Sequence, residues 1–260
     1  MTRRRDESLF PKLLAGGVVA GLVFWLARPA RASTAWTPTP RVPQAQGRTG
    51  SFPQLVERWR GAVFTRAGDV PVDAILEWIR IESGGDMCAV GSPTEVGIFQ
   101  LQFPGDSKFG ATLEGLQALC QESKHHNPTD LSWMTPDDLD VQVGSGIRKI
   151  VAARNDVRRV LAQSGVHWSE TSFDFGSAVK QIHAAPAVIT ELLPKIARAS
   201  GPPASWGDLR ERAVTFPVDQ MGPGLRRLWQ AQSKRGLRNR LEDTMRNAEF
   251  VGRAWAGSYA

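Results

Sequence analysis

The sequence predicts a mainly α protein, on three observations. Apolar residues recur at helical spacing in several long segments. No stretch sustains apolar–polar alternation beyond a few residues, as a half-buried strand would. A chain of 260 residues, 42% hydrophobic and 22% charged, has the composition of a globular protein long enough for one sizeable core with appendages.

The segments follow in order. Residues 1–12 form a cationic leader, residues 13–27 (LLAGGVVAGLVFWLA) are uncharged and mostly apolar, and Ala30 and Ala32 give an A-x-A arrangement. The apolar run is short against the roughly 20 residues of a bilayer span. It fits the centre of a secretory signal peptide cleaved after Ala32, with an uncleaved membrane anchor as the alternative because Arg28 and Arg31 follow so closely. Residues 33–50, rich in Pro, Thr, Gln and Gly, read as an extended linker. A helix is expected from Pro71, with Val72, Ile75, Leu76 and Ile79 on one stripe and Gly84 and Gly85 ending it. Residues 141–165 repeat the pattern through Val143, Ile147, Ile150, Val157 and Leu161. Residues 174–200 do so again, with bends expected at Pro186 and Pro194. Two further helical patterns lie at 205–214 and 240–255. The predicted organisation is a mainly α domain over 51–200 and a basic helical extension over 201–260, without internal repeats.

Charge is unevenly spread. Residues 1–32 carry +4 of the formal net charge of +6 and residues 222–260 carry +5, which leaves residues 33–221 at −3. The basic stretch 226–240 with Trp229 suits anionic lipid headgroups, wall polymers or nucleic acid, or is simply a solvated helix. Cys88 and Cys120 either close a disulfide loop of about 30 residues, as an exported chain permits, or stay as two thiols. His125, His126 and Asp130 lack metal-ligand spacing. Residues 143–146 (VGSG) do not make a nucleophile elbow, and no phosphate-loop motif occurs. Trp133, Trp168 and Phe103 suit either sugar stacking or core packing.

The stretch WIRIESGGDMCAVGSPTEVGIFQLQ, residues 78–102, carries the chemistry. Glu82 lies three residues after Ile79 and seven after Ile75, hence on the buried stripe at the helix's carboxyl end. Desolvation and the helix dipole both disfavour an ionised carboxylate there, so a raised pKa and a general-acid role are expected. An ordinary solvated helix-end acid is the alternative.

The stretch resembles the signature of the lytic transglycosylase family of the lysozyme-like superfamily: Glu-Ser after an apolar helix, a Ser-Pro loop, then Gly-Leu-Met-Gln. Here these are Glu82-Ser83, Ser92-Pro93 and Gly97-Ile98-Phe99-Gln100, with the serine one position later than usual and Glu95 where a small residue is common. Residues 142–150 (QVGSGIRKI) are similar to the family's Asn-Ile-x-x-Gly-x-x-Tyr-Leu helix, with Gln142 for the Asn and Lys149 for the Tyr. Residues 180–188 (KQIHAAPAV) are similar to its Ala-Ala-Tyr-Asn-Ala-Gly-Pro-Gly segment, with Ile182 and His183 in the Tyr-Asn positions. The resemblance covers roughly residues 55–195.

It implies a lysozyme-like catalytic domain of goose-type architecture acting on peptidoglycan glycan strands without a cofactor or metal. Glu82 would protonate the β-1,4 oxygen between N-acetylmuramic acid and N-acetylglucosamine, then take the proton of the muramoyl 6-hydroxyl as that oxygen attacks C1 and closes a 1,6-anhydro ring. One carboxylate suffices, where ordinary glycosidases use two. Ser92 and Gln100 would orient the sugar, and His183 either donates a hydrogen bond or packs in the core. Glu95 is either a second carboxylate, as a hydrolytic muramidase would need, or a loop brace. A wall-binding protein that has lost catalysis, or a basic binding module over 222–260, are the further alternatives. An exported enzyme of this kind fits the periplasm or the outer face of an inner membrane, serving wall remodelling, a secretion or conjugation apparatus, or a virion; nucleic acid is not an expected partner.

Overall fold

A computed structural model describes residues 52–230 and 236–260. The leader, apolar run and linker expected over 1–50 lie outside these residues, as does the middle of the basic stretch. The described residues belong to one compact unit. Among the described residues no helix is long and apolar enough to cross a membrane.

The fold is mainly α, as the periodicity predicts. Two short helices, α1 (Gln54–Glu57) and α2 (Arg60–Phe64), lead into α3 (Val72–Ser83). Its apolar stripe places Ile75, Leu76, Trp78 and Ile79 at the centre of the core. Pro71 sits one position before α3 and not within it, and Gly84 ends it in the left-handed conformation, φ 63°, that favours glycine. A small antiparallel sheet follows, β1 (Val90–Ser92), β2 (Glu95–Val96) and β3 (Leu101–Gln102), in the order β1-β2-β3. Val90 pairs with Val96, Ser92 with Glu95, Glu95 with Gln102 and Val96 with Leu101.

A 3₁₀ turn over Gly105–Phe109 leads to α4 (Leu113–Ser123), capped by the Thr112 hydroxyl, which accepts from Gly115 N at 3.0 Å. The Cys88–Cys120 disulfide ties α4 to the chain entering the sheet. Helix α5 (Pro136–Leu139), with a capping box between Thr135 and Asp138, runs through a π turn over Asp140–Gly144 into α6 (Ser145–Gln163). Helix α7 (Phe173–Ala184) ends where Ala185 takes the extended backbone that a following proline, Pro186, imposes. A second π turn (Val188–Leu192) passes into α8 (Leu193–Ser200), with Pro194 in its first turn. Helices α9 (Trp206–Thr215), α10 (Pro223–Gln230) and α11 (Leu237–Gly257) complete the chain.

The boundary expected at residue 200 is not a boundary of packing. Helix α11 lies along α7 and α3, and Trp206, Leu209, Met245, Val251 and Trp255 are buried in the same core as α3. The α7–α11 contact is close because Gly176 and Gly252 face each other; a Cβ on Gly176 would overlap Trp255, and one on Gly252 would overlap Phe173 and Ser177. What reads as a basic extension in the sequence is one wall of the core.

Candidate functional site

The site begins where α3 stops. Ser83 Oγ lies 3.0 Å from the carbonyl oxygens of both Ile79 and Ile98 and accepts from Gly85 N at 3.1 Å, so one hydroxyl joins the helix end to the loop after β2. The Gly85 carbonyl accepts from Arg58 Nη2 and Trp59 Nε1, both at 2.9 Å. These bonds, with the left-handed Gly84, pin the helix end and with it the direction of Glu82.

Glu82 faces α7. Its Oε1 forms an ion pair with Lys180, and His183 Nε2 lies 3.5 Å from the same oxygen. Lys180 and His183 are one helical turn apart on α7 and so share a face. Trp78 walls the cluster: the Lys180 ammonium sits 4.6 Å from its ring centroid, and the His183 ring meets it edge-on at 5.6 Å. Side-chain exposure is 3% for Lys180, 8% for His183 and 17% for Glu82, so the pair is largely shielded from water and open on the Glu82 side. Farther back, Lys149 of α6 is held at 2.5 Å by Asp106, which also accepts from Gln102 N at 2.7 Å. The π turn before α6 buries Gln142 beside Gly97, and Gly146 lets the Phe99 ring reach the helix backbone.

The raised pKa expected for Glu82 is not what this site produces. Burial does push the carboxyl upward, but Lys180 and His183 outweigh it and hold the group well below the usual carboxylate range. Burial pushes Lys180 down from the ordinary lysine value, with Glu82 opposing. Burial likewise lowers His183, which favours neutral imidazole. The site therefore holds a carboxylate and an ammonium whose grip on its proton is weakened.

Ser92, Glu95 and Gln100 form a second group, on the hairpin. Gln100 has a positive φ of 49°, unusual for a residue with a side chain. Its Nε2 donates to Ala89 O at 2.9 Å and Gly97 O at 2.8 Å, so it braces the turn from within. Glu95 accepts from Gln102 Nε2 across the strands, and its other oxygen lies with Gln100 Oε1 in the space that Gly91 leaves without a Cβ. Ser92 Oγ is 3.4 Å from Thr94 Oγ1. The structure thus brings His183 to Glu82, while Gln100 and Glu95 are engaged within the hairpin.

 Sequence reasoning missed Lys180, which sits where the family segment has an alanine; the one sign of it was its placement a helical turn before His183.

A pocket of about 330 Å³ lies elsewhere, between Arg58, Asp86, Lys124 and Trp133 on the disulfide side, and Glu82 is not part of its lining. Trp133 stacks there on His126 at 4.6 Å, whereas Trp168 and Phe103 are buried in the core. Among the described residues no group of three or more His, Cys, Asp or Glu side chains is placed to hold a metal ion. Compared with known proteins, the chain matches no family model, no curated protein and no solved structure.

A carboxylate beside a buried ammonium and a neutral imidazole can give and take a proton at one point, at the edge of a surface formed by a helix end and a hairpin. That is the chemistry of an acid/base centre.

Proposed function

We propose that this protein is a peptidoglycan lytic transglycosylase with a lysozyme-like catalytic domain, in which Glu82 is the single acid/base. The observation that carries this reading is the placement of Glu82: a pinned helix end presents its carboxylate to two proton-bearing side chains, Lys180 and His183, next to the hairpin of the Ser-Pro and Gly-x-x-Gln motifs. Glu95, the other candidate carboxylate, is taken up by Gln102, which favours a one-carboxylate reaction over hydrolysis. In that reaction Glu82 gives a proton to the glycosidic oxygen and receives one from the muramoyl 6-hydroxyl as the 1,6-anhydro ring closes. Ser92 at the hairpin edge and His183 beside Glu82 contribute hydrogen bonds to the sugar. An exported location, in the periplasm or carried on a virion, is part of the same proposal; the Cys88–Cys120 disulfide supports an oxidising compartment.

The Glu82–Lys180 ion pair favours one other reading, a wall-binding protein whose acid is held ionised and silent. Incubating the full chain, and the chain with Glu82→Gln, with purified peptidoglycan and identifying the soluble products by mass spectrometry separates the two. Anhydro-muropeptides from the first and none from the second are expected. Reducing-end products would make the protein a hydrolase, and binding without release would make it a scaffold.

A further inference from the structure

The charges behind Glu82 carry an inference that rests on the transglycosylase reading and deepens it. A resting ion pair is a poor general acid, because the carboxylate has no proton to give. Lys180 has one. Among the described residues the hydrogen-bond acceptor of its ammonium is Glu82, the Trp78 ring lies against it, and Lys180 is buried. An ammonium has three donors to satisfy, and a buried ion pair is costly to maintain. Moving one proton from Lys180 to Glu82 converts two buried charges into a neutral amine and a neutral acid that stay hydrogen-bonded. Lys149 of α6, the further cation that acts on Lys180, is already matched by Asp106, and charged groups on the flanking elements have partners of their own: Arg80 of α3 with Glu77, Glu95 of the hairpin with Gln102, and Glu249 of α11 with Arg210. Burial of His183, on the same face of α7 as Lys180, lowers its pKa and favours its neutral form.

We propose that Lys180 is a positioning residue that acts through Glu82: it stores one proton in the buried pair and passes it to the carboxylate for glycosidic cleavage. The cycle balances without water or any co-reactant. Lys180 gives a proton to Glu82, leaving a neutral amine. Glu82 gives that proton to the glycosidic oxygen as the C1–oxygen bond breaks and its electrons go to the leaving hydroxyl. The muramoyl O6 attacks C1, its proton passes to Glu82, and Glu82 returns a proton to Lys180.

Two variants of the full chain test this, each checked for a cooperative melt by circular dichroism and assayed for anhydro-muropeptide release from pH 4 to 10. Lys180→Arg keeps a positive charge against Glu82 but cannot give up a proton. Its rate is expected to fall about 100-fold or more, the low end of what general acid catalysis supplies. Lys180→Met leaves a carboxyl whose burial is no longer opposed by the ammonium, so Glu82 carries its own proton at acid pH. Product release is expected to persist at pH 5, with the alkaline limb moved down by at least one pH unit relative to the unsubstituted protein. A fully active Lys180→Arg protein, or an unmoved limb in Lys180→Met, overturns the proposal and leaves the transglycosylase reading intact. A Lys180→Met protein faster at every pH also overturns it, because Lys180 would then be a brake. If the unsubstituted protein yields no anhydro product at any pH, the transglycosylase reading falls and this proposal with it.

Discussion

Glu82 is ionised at rest because Lys180, with His183 beside it, outweighs its burial, and this has a consequence for stability as well as for chemistry. A carboxyl whose folded pKa lies below its unfolded value stabilises the fold above the unfolded value, near 4.5, and loses that contribution as pH falls. Urea midpoints should therefore drop between pH 6 and pH 3, and the drop should be smaller in Glu82→Gln. An equal drop in both proteins would show that Glu82 is not the group responsible. On the proposed transglycosylase reading the same substitution should lower anhydro-product release by about 100-fold or more, since it removes the acid assigned to the glycosidic oxygen. It also leaves Lys180 buried without its counter-charge, so some loss of stability at neutral pH accompanies the loss of activity. Periodicity placed Glu82 on the buried stripe at the end of α3, and the structure agrees. The sign of its pKa shift was not legible, because it depends on Lys180, a residue 98 positions away whose approach no local pattern records.

At the scale of elements, the site depends on two helices and a hairpin being brought close, and small residues permit it. Gly146 on α6 has an ordinary helical backbone, so its role is steric: a Cβ would overlap the Phe99 ring. Gly146→Ala is expected to cost about 1–3 kcal/mol as overpacking. Because Phe99 precedes the strained Gln100, the shift should also reduce activity by more than the loss of folded protein accounts for. Urea denaturation and product assays on the same preparation check both parts, and wild-type stability in the variant would sink the steric argument. The disulfide acts on the neighbouring element. Cys88→Ser/Cys120→Ser opens a loop of about 30 residues, with an expected loss of about 3 kcal/mol from the larger freedom of the unfolded chain. Helix-forming segments, the break at Pro186 and the end of α3 were legible because each rests on local chemistry: apolar spacing, the restriction before proline and left-handed glycine. The strands were not, since β2 and β3 are two residues each and form no recognisable alternation. The π turns at 140–144 and 188–192 left no trace in the apolar pattern either, because each inserts its extra residue inside a continuous helical run.

At the scale of the whole molecule, residues 201–260 decide whether the site exists. Their net basic charge suggested an appendage, yet the described charged residues of α9 and α11 are exposed or half-buried while the inner faces of these helices supply core. Trp206 donates its indole N–H to Met245 O at 3.2 Å, and Trp255 donates to Glu170 O at 2.8 Å, so both rings are buried with their polar atoms satisfied. Helix α11 covers the backs of α3 and α7, the two helices that bring Glu82 and Lys180 together, and Thr244 hydrogen-bonds Gln181, the residue next to Lys180, at 3.2 Å. Cutting the chain after residue 200 would expose the apolar backs of both helices and leave buried polar groups on α7 without partners. Such a fragment is expected to lack a cooperative thermal transition and near-ultraviolet circular dichroism, and to release no muropeptides. A milder cut tests the same point without truncation: Trp255→Ala removes a ring packed against Gly176 and Phe175 and should cost about 3–5 kcal/mol. If the fragment ending at 200 instead melts cooperatively within a few degrees of the full chain, the core closes without α11. The 201–260 segment would then be an appendage after all, and its basic surface would have to be explained by something outside the fold.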